Sequence, residues 1–528
     1  MNKKSHTAII ENSRYPEPDA RALGSGRMGP RNGSGKFSVV LLLLLLPLVM
    51  VLPACLLGPK YSRPKVNAPP AFRGAEVAAQ EASLADLPWW EVFKDETLAE
   101  IVKNALANNY NLAIAVTRIE QARQMADQAK AQYRPGIGYT VAIGGTKNPL
   151  GAIAGAGQTE SESKSVLWTA LSVGWEADVW GRIRRLNEAA RAQYLATEEG
   201  KRAVMLSLVS DVAQAYFELL ALDSQLEIAK QTTTSFDETL TLFTQRLEGG
   251  VASKLDTSRA AAAKATAAAS IPELRRQIGL KENQINVLLG QNPGPVARSA
   301  KLLDQSIPPT VPAGLPSALL ERRPDVMAAE EQVRAANAQV GVATANLFPQ
   351  FSLTAFLGRG GFPLSDYAAD GLNFWSALAN AAGPIYQGGA LRAKKRQAIA
   401  YWEQTVLQYK QTALVAFQDV SNALISRQEY EGVREQQALA VQAYEDSVKV
   451  SLQRYIAGKA SYYEVLEAQQ QLFPAQNYLV QTELNRRLVI VQLYKALGGG
   501  WKLQDAQWSG PQGPAGPSTG PSNQRPQP

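Results

Sequence analysis

A chain of 528 residues can bury more than one core, and much of the basic charge behind its formal +7 lies in the first 36 positions, at Lys3, Lys4, Arg14, Arg21, Arg27, Arg31 and Lys36. No Arg/Lys ladder interleaved with aromatic residues accompanies it, which excludes nucleic acid as a partner. One histidine, His6, and one cysteine, Cys55, exclude intrachain disulfides, dithiol chemistry and Cys/His zinc sites.

Residues 38–54 form a hydrophobic run behind Arg31 and Lys36, which is how an export signal begins. Pro47 and Pro53 interrupt it, and it is short for a membrane-spanning helix. It ends in Leu52-Pro53-Ala54-Cys55, which resembles the lipobox of bacterial lipoproteins. Residues 1–54 are therefore read as leader and lipoprotein signal, with diacylglycerol and N-acyl lipid attached at Cys55. The alternative is a small buried cysteine or an uncleaved anchor. Leu56, rather than an aspartate, is compatible with sorting to the outer membrane. A start at Met28 would give a leader of ordinary length.

Residues 55–97 follow as an extended, Pro-rich segment with Trp89 and Trp90 as anchors and Asp95 as a helix cap. From Leu98 to about Tyr133 one amphipathic helix is predicted, with Ile101, Ala105, Leu112, Ala115, Ile119 and Ala122 on one face. The period then changes to two. Ile137, Tyr139, Val141 and Ile143 alternate with small or polar residues, and Leu171, Val173, Trp175 and Val179 do so again, which predicts strands over about 136–145 and 168–180. A helix of roughly 60 residues runs from Arg185 to about Leu247, with a 3,4 seam at Leu206, Val209, Ala213, Tyr216 and Leu220. Another covers Leu255 to Leu289.

The order then repeats after a Pro-rich linker over 291–323. The second copy, 324–504, has a helix from Val326, strands over about 350–359 and 373–386, a giant helix from Ala390 to Tyr455 with Leu414, Phe417, Ser421 and Leu424 on one seam, and a last helix to Leu497. The first copy spans 98–290. Two turns mark the duplication: Gln245, Arg246, Gly250, Ala252, Ser253 and Asp256 recur as Gln453, Arg454, Gly458, Ala460, Ser461 and Glu464, each 208 residues on. Residues 505–528 are read as a disordered tail.

The expected fold is therefore a mixed membrane β-barrel and α-helical barrel. Four strands per chain cannot close a barrel, and hydrocarbon does not tolerate open strand edges. A homotrimer would supply 12 strands around a lumen, with the helices continuing as a long periplasmic coiled-coil tunnel. No nucleophile–base set, phosphate loop or metal cluster is present, so the chain is read as a non-enzyme without cofactors beyond the lipid at Cys55.

Five motifs carry a resemblance. These are Cys55-Leu56-Leu57-Gly58-Pro59-Lys60-Tyr61-Ser62-Arg63-Pro64; Gly174-Trp175-Glu176-Ala177-Asp178-Val179-Trp180-Gly181-Arg182; Gly314-Leu315-Pro316-Ser317-Ala318-Leu319-Leu320-Glu321-Arg322-Arg323-Pro324-Asp325-Val326; Gly383-Pro384-Ile385-Tyr386-Gln387-Gly388-Gly389; and Tyr494-Lys495-Ala496-Leu497-Gly498-Gly499-Gly500-Trp501. The chain resembles an outer membrane factor of the TolC superfamily, in its OprM-like, NodT-type efflux lipoprotein branch. The resemblance implies a trimeric duct in the cell outer membrane that carries drugs or other small solutes. It would work with a periplasmic adaptor and a proton-driven inner-membrane transporter. It also implies a periplasmic gate at Glu464 and Glu467 beside Tyr463, and adaptor contacts at the turns of Gly249, Gly250 and Gly458. Three Glu467 side chains around one axis would repel one another and favour cations at the mouth. Type I protein secretion and a non-conducting envelope scaffold are the alternatives.

Overall fold

The computed structural model describes residues 56–75, 83–147, 163–298, 301–304, 313–361, 367, 372–504, 507–508 and 510. The chain divides into Met1–Ala54 and Cys55–Pro528. The leader, the lipobox and Cys55 itself lie outside the described residues.

Helices α1 (Trp89–Phe93), α2 (Glu96–Asn108) and α3 (Tyr110–Ala131) lead into strands β1 (Gly136–Lys147) and β2 (Ser163–Ala177), then α4 (Arg182–Glu248) and α5 (Lys254–Leu288). The second copy has α6 (Pro316–Arg322), α7 (Pro324–Ala345), β3 (Gln350–Gly361), β4 (Leu372–Ala382), α8 (Ala390–Ile456) and α9 (Tyr462–Ala496). Helices α4 and α8 have 67 residues each, about 100 Å at the standard rise, and α5 and α9 have 35 each. Gly200 and Gly432 do not break the long helices, and Pro272 and Pro474 both stay inside theirs.

The strands pair antiparallel in the order β1-β2-β3-β4, so β1 and β4 are the edges. The register aligns Tyr139, Leu171, Leu357 and Trp375 in one row across all four strands.

The main core lies where α1 and α2 pack on α4 and α9. Phe93 meets Phe217 and Tyr494 edge-on at centroid distances of 6.3 and 6.0 Å. All five seam residues of α4, from Leu206 to Leu220, are buried there. One 18-residue window of α4 is apolar enough to cross a membrane, but 67% of it is buried in the fold. It is core sequence.

Four expectations need correction. The single helix over 98–133 is two, because Asn109 is extended (ψ 124°) and caps α3 by accepting from the Leu112 amide at 3.0 Å. Its amide nitrogen also donates to the Leu288 carbonyl at 2.8 Å, so the break is tied to the end of α5. The linker over 291–323 contains α6, which starts on Pro316 at a position where proline's missing N–H costs nothing. Strand β2 stops at Ala177 rather than 180, because Asp178 turns to accept from the Ile183 and Arg184 amides at the start of α4. Strand β4 stops at Ala382 rather than 386. Pro384 has no ladder donor, and Gly383 passes so close to Pro349 that a Cβ would lie 2.7 Å from its Cα.

Two side chains also depart from expectation. Leu414 is exposed rather than on a buried seam, while Phe417 and Leu424 are buried. Within the stretch read as a disordered tail, Trp508 is buried and its carbonyl accepts from Trp89 Nε1 at 3.0 Å. Residues 511–528 lie outside the described part.

Candidate functional site

The two turns that reverse the long helices are built alike. In the first, the Gly250 amide donates to Leu247 O and the Val251 amide to Arg246 O. In the second, the Gly458 amide donates to Tyr455 O and the Lys459 amide to Arg454 O. Each closes a helix end with a left-handed residue, Gly250 at φ +74° and Gly458 at φ +70°. Gly249 sits one residue earlier at φ −77°, where any residue fits. A Cβ on Gly250 or Gly458 would meet nothing within 4 Å, so backbone conformation rather than space selects glycine there.

The acidic residue at each restart is engaged in a reciprocal cap. The Ser253 amide donates to Asp256 Oδ2 at 3.3 Å, and the Ser461 amide to Glu464 Oε1 at 3.4 Å. Glu464 also lies 3.8 Å from Arg454. Glu467, almost one turn on, is exposed, as is Tyr463. Glu464 and Glu467 come together with Arg454 along one groove of about 440 Å³.

Sequence reasoning missed the cluster that holds this end of the molecule across the two copies. Phe243 of α4 meets Tyr455 and Tyr462 at 4.9 and 4.3 Å, from either side of the second turn. The Arg246 guanidinium lies 4.7 Å over the Tyr455 ring. Gln469 of α9 donates to Ser235 Oγ and Thr239 Oγ1 of α4 at 3.2 and 3.0 Å. The Tyr462 hydroxyl is buried without a hydrogen-bond partner, and burial, reinforced by the Asp256 charge, pushes it up to about 12. The matched aromatic pair flanking Gly458 was the available signal.

The sheet has two unlike faces. The row Tyr139, Leu171, Leu357 and Trp375 belongs to an apolar face with Ile137, Val141, Ile143, Val173 and Leu353, all exposed in the single chain. The opposite face carries Thr140, Ser172, Glu176, Gln350, Ser352, Thr354, Ser376 and Asn380, with Trp168, Phe356, Phe374 and Leu378 as its large apolar members. At the foot of the sheet the start of the described chain is strapped down. The Leu57 amide donates to Trp180 O at 3.1 Å, and the Arg185 guanidinium donates to Leu57 O, Gly58 O and Pro59 O.

Among the described residues no three His, Cys, Asp or Glu side chains form a metal-holding group. What the arrangement offers is an apolar sheet with two open edges, joined to helices three times longer than a bilayer core is thick.

The profile of the family described as "Outer membrane efflux protein" matches residues 101–291 and 315–499. The toluene efflux pump outer membrane protein TtgC of Pseudomonas putida is 33% identical over 478 residues, covering 88% of this chain and 97% of that protein. The probable outer membrane lipoprotein SilC of Salmonella typhimurium is 31% identical over 466 residues, covering 87% and 98%. Among solved structures, the outer-membrane channel OprN superposes with a TM-score of 0.78 at 28% identity, covering 85% of this chain and all of that one.

Proposed function

The chain belongs to the outer membrane efflux protein family of the TolC superfamily and is the outer-membrane channel component of an efflux system, a passive conduit and not an enzyme; from that premise we propose how its parts form the duct. Three copies close into a 12-stranded barrel, each β4 pairing with the β1 of the next. One observation carries this reading: the sheet exposes an apolar face while the outer edges of β1 and β4 are left unpaired. In hydrocarbon those amides and carbonyls would each cost several kcal/mol, and a closed ring removes the cost. The helices then line a tunnel through the periplasm that drugs or other small solutes cross, supplied by an adaptor seated at the turns of Gly250 and Gly458 and by a proton-driven inner-membrane pump. The name of the TtgC relative supports apolar solvents as one class of cargo.

Lipid at Cys55 anchors the duct. In support, Leu56 sits against Gly181 at the foot of β2, so acyl chains on the preceding residue would enter the membrane where the barrel begins. The relative SilC is itself called a lipoprotein.

The gate is proposed at Glu464 and Glu467. The Gln469 link and the Phe243 cluster tie the second turn to α4, and the Arg454–Glu464 contact braces the turn itself between α8 and α9. Adaptor contact would part these links and widen the ring. The test is single-channel conductance of the purified protein in planar bilayers. Replacing Glu464 and Glu467 by alanine should raise conductance. A protein that stays monomeric in mild detergent and conducts nothing would overturn the duct, whereas unchanged conductance in the variant would move the gate elsewhere.

A further inference from the structure

The two copies differ where a strand hands over to a giant helix. In the first copy every cation at the start of α4 is neutralised. Arg182 makes two bonds to Glu176 at 2.8 and 2.7 Å, Arg184 reaches Asp178 at 3.1 Å, and Arg185 pairs with Glu188 at 2.8 Å. In the second copy, α8 starts after Gly388 and Gly389 with Arg392, Lys394, Lys395 and Arg396. Among the described residues none of these four makes a hydrogen bond or an ion pair, and the first turn of α8 holds no acidic residue. Cations at a helix N-terminus oppose its dipole, so this arrangement favours an anionic partner from outside the chain.

The surroundings indicate what that is. Lys394 lines a groove between α7 and α8 together with Gln350 and Ala382, which belong to the polar face of the sheet. At about 100° per residue, Arg392 and Arg396 lie on the opposite side of α8 from Lys394, away from that groove. Just before them Ile385 and Tyr386 are 103% and 87% exposed. An isoleucine held wholly in the open beside a tyrosine and a row of cations is the composition of a membrane–water boundary. In a closed ring the segment of the next copy nearest this point, the end of α3 and the turn into β1, would bring Asp127 together with Lys130 and Arg134, a net positive charge.

We propose that Arg392, Lys395 and Arg396, with Ile385 and Tyr386, bind the anionic headgroups of phospholipids in the periplasmic leaflet of the outer membrane. The site rests on the barrel reading, and the two can fail separately. The cations take the headgroup phosphate, and Ile385 and Tyr386 enter the acyl boundary beside it. The collar fixes the height of the barrel beyond the end of β4, as the strap at Trp180 does beyond the end of β2.

The experiment is native mass spectrometry of the full-length protein in detergent, titrated with phosphatidylglycerol against phosphatidylethanolamine. The wild type should retain the anionic lipid with a preference of roughly fivefold or more, since each cation near an anionic surface contributes about 1 kcal/mol. Arg392→Gln/Lys395→Gln/Arg396→Gln should lose that preference, Lys394→Gln should keep it, and Arg392→Lys/Arg396→Lys should keep it because charge is retained. An unchanged preference in the triple variant, or none in the wild type, overturns the proposal. So does displacement of the lipid by inorganic phosphate at equal concentration. A changed cation-to-anion permeability with unchanged lipid preference would place these side chains in the water path and also overturn it. Bilayer conductance of the same samples tests the barrel: a conducting protein without lipid preference loses only this site.

Discussion

Helices α4 and α8 are the same length, follow the same kind of hairpin and end in the same kind of turn, yet they live in different surroundings. Helix α4 has 22 buried residues and α8 has 11. The first is gripped on several sides, by α3, α5, α7, α9 and the short N-terminal helices. The second leaves Tyr401, Leu407, Leu414, Leu439 and Val450 exposed. Its seam with α9 is held by charges instead. Arg434 of α8 reaches Glu483 at 3.0 Å and Arg486 makes a forked pair with Glu431 across it, while Arg487 braces Glu483 from within α9 at 2.8 Å. Duplication copied the geometry, while one long helix became the core of the chain and the other left a face exposed.

The largest effect should separate the two helices outright. Val209→Asp puts a charge into a fully buried position of α4 and should cost more than about 4 kcal/mol, leaving no folded protein by circular dichroism. Leu414→Asp on α8 should change stability by less than about 0.5 kcal/mol and instead shift the oligomer to smaller species in light scattering. If both variants unfold alike, the contrast between the helices is broken.

Next in size is the charged seam. Burial alone would raise the Glu483 carboxyl, but hydrogen bonds from Arg487 and Arg434 and the charges of Arg486 and Arg487 outweigh it and bring it below its ordinary 4.5. A carboxyl lowered in the fold contributes its full stabilisation above the unfolded value, and that contribution is lost as pH falls through the folded one. Thermal stability should therefore fall as pH drops below 4.5, and Glu483→Gln should flatten that dependence. Glu483→Ala at neutral pH should cost about 3 kcal/mol by leaving buried guanidinium charge uncompensated. The smallest effect tests the turns, where the copies agree. Gly250→Ala and Gly458→Ala should each loosen their turn by about 1 kcal/mol, read as faster hydrogen exchange of local amides, while Gly249→Ala stays within about 0.3 kcal/mol.

Periodicity carried most of the architecture, because the strands and long helices hold an unbroken period of two or of about three and a half. What escaped were features set by a single polar side chain acting at a distance. Asn109 is a residue type that often caps a helix, but the apolar period running through both sides of it hides the break until its side-chain amide finds Leu288 O. Helix α6 was hidden because prolines in number read as a linker, although one of them can open a helix. At the candidate gate, Glu464 was legible as the acid of a repeated motif, but its cap to the Ser461 amide was not read from that repeat. The Gln469 link joins residues 230 positions apart and has no local signature; of the aromatic cluster only the Tyr455 and Tyr462 pair flanking Gly458 was readable, not its contact with Phe243.

The contact between Trp89 and Trp508 has a consequence for how the protein is made. Its partners are 419 positions apart, and the Tyr494 hydroxyl reaches Leu87 O over a span of 407. The central core thus cannot be completed while the chain is still emerging from a translocation pore, and an order of assembly from front to back is closed to it. A polypeptide bound for a distant membrane stays unfinished for as long as it is being threaded, and its last aromatic residue acts as the latch.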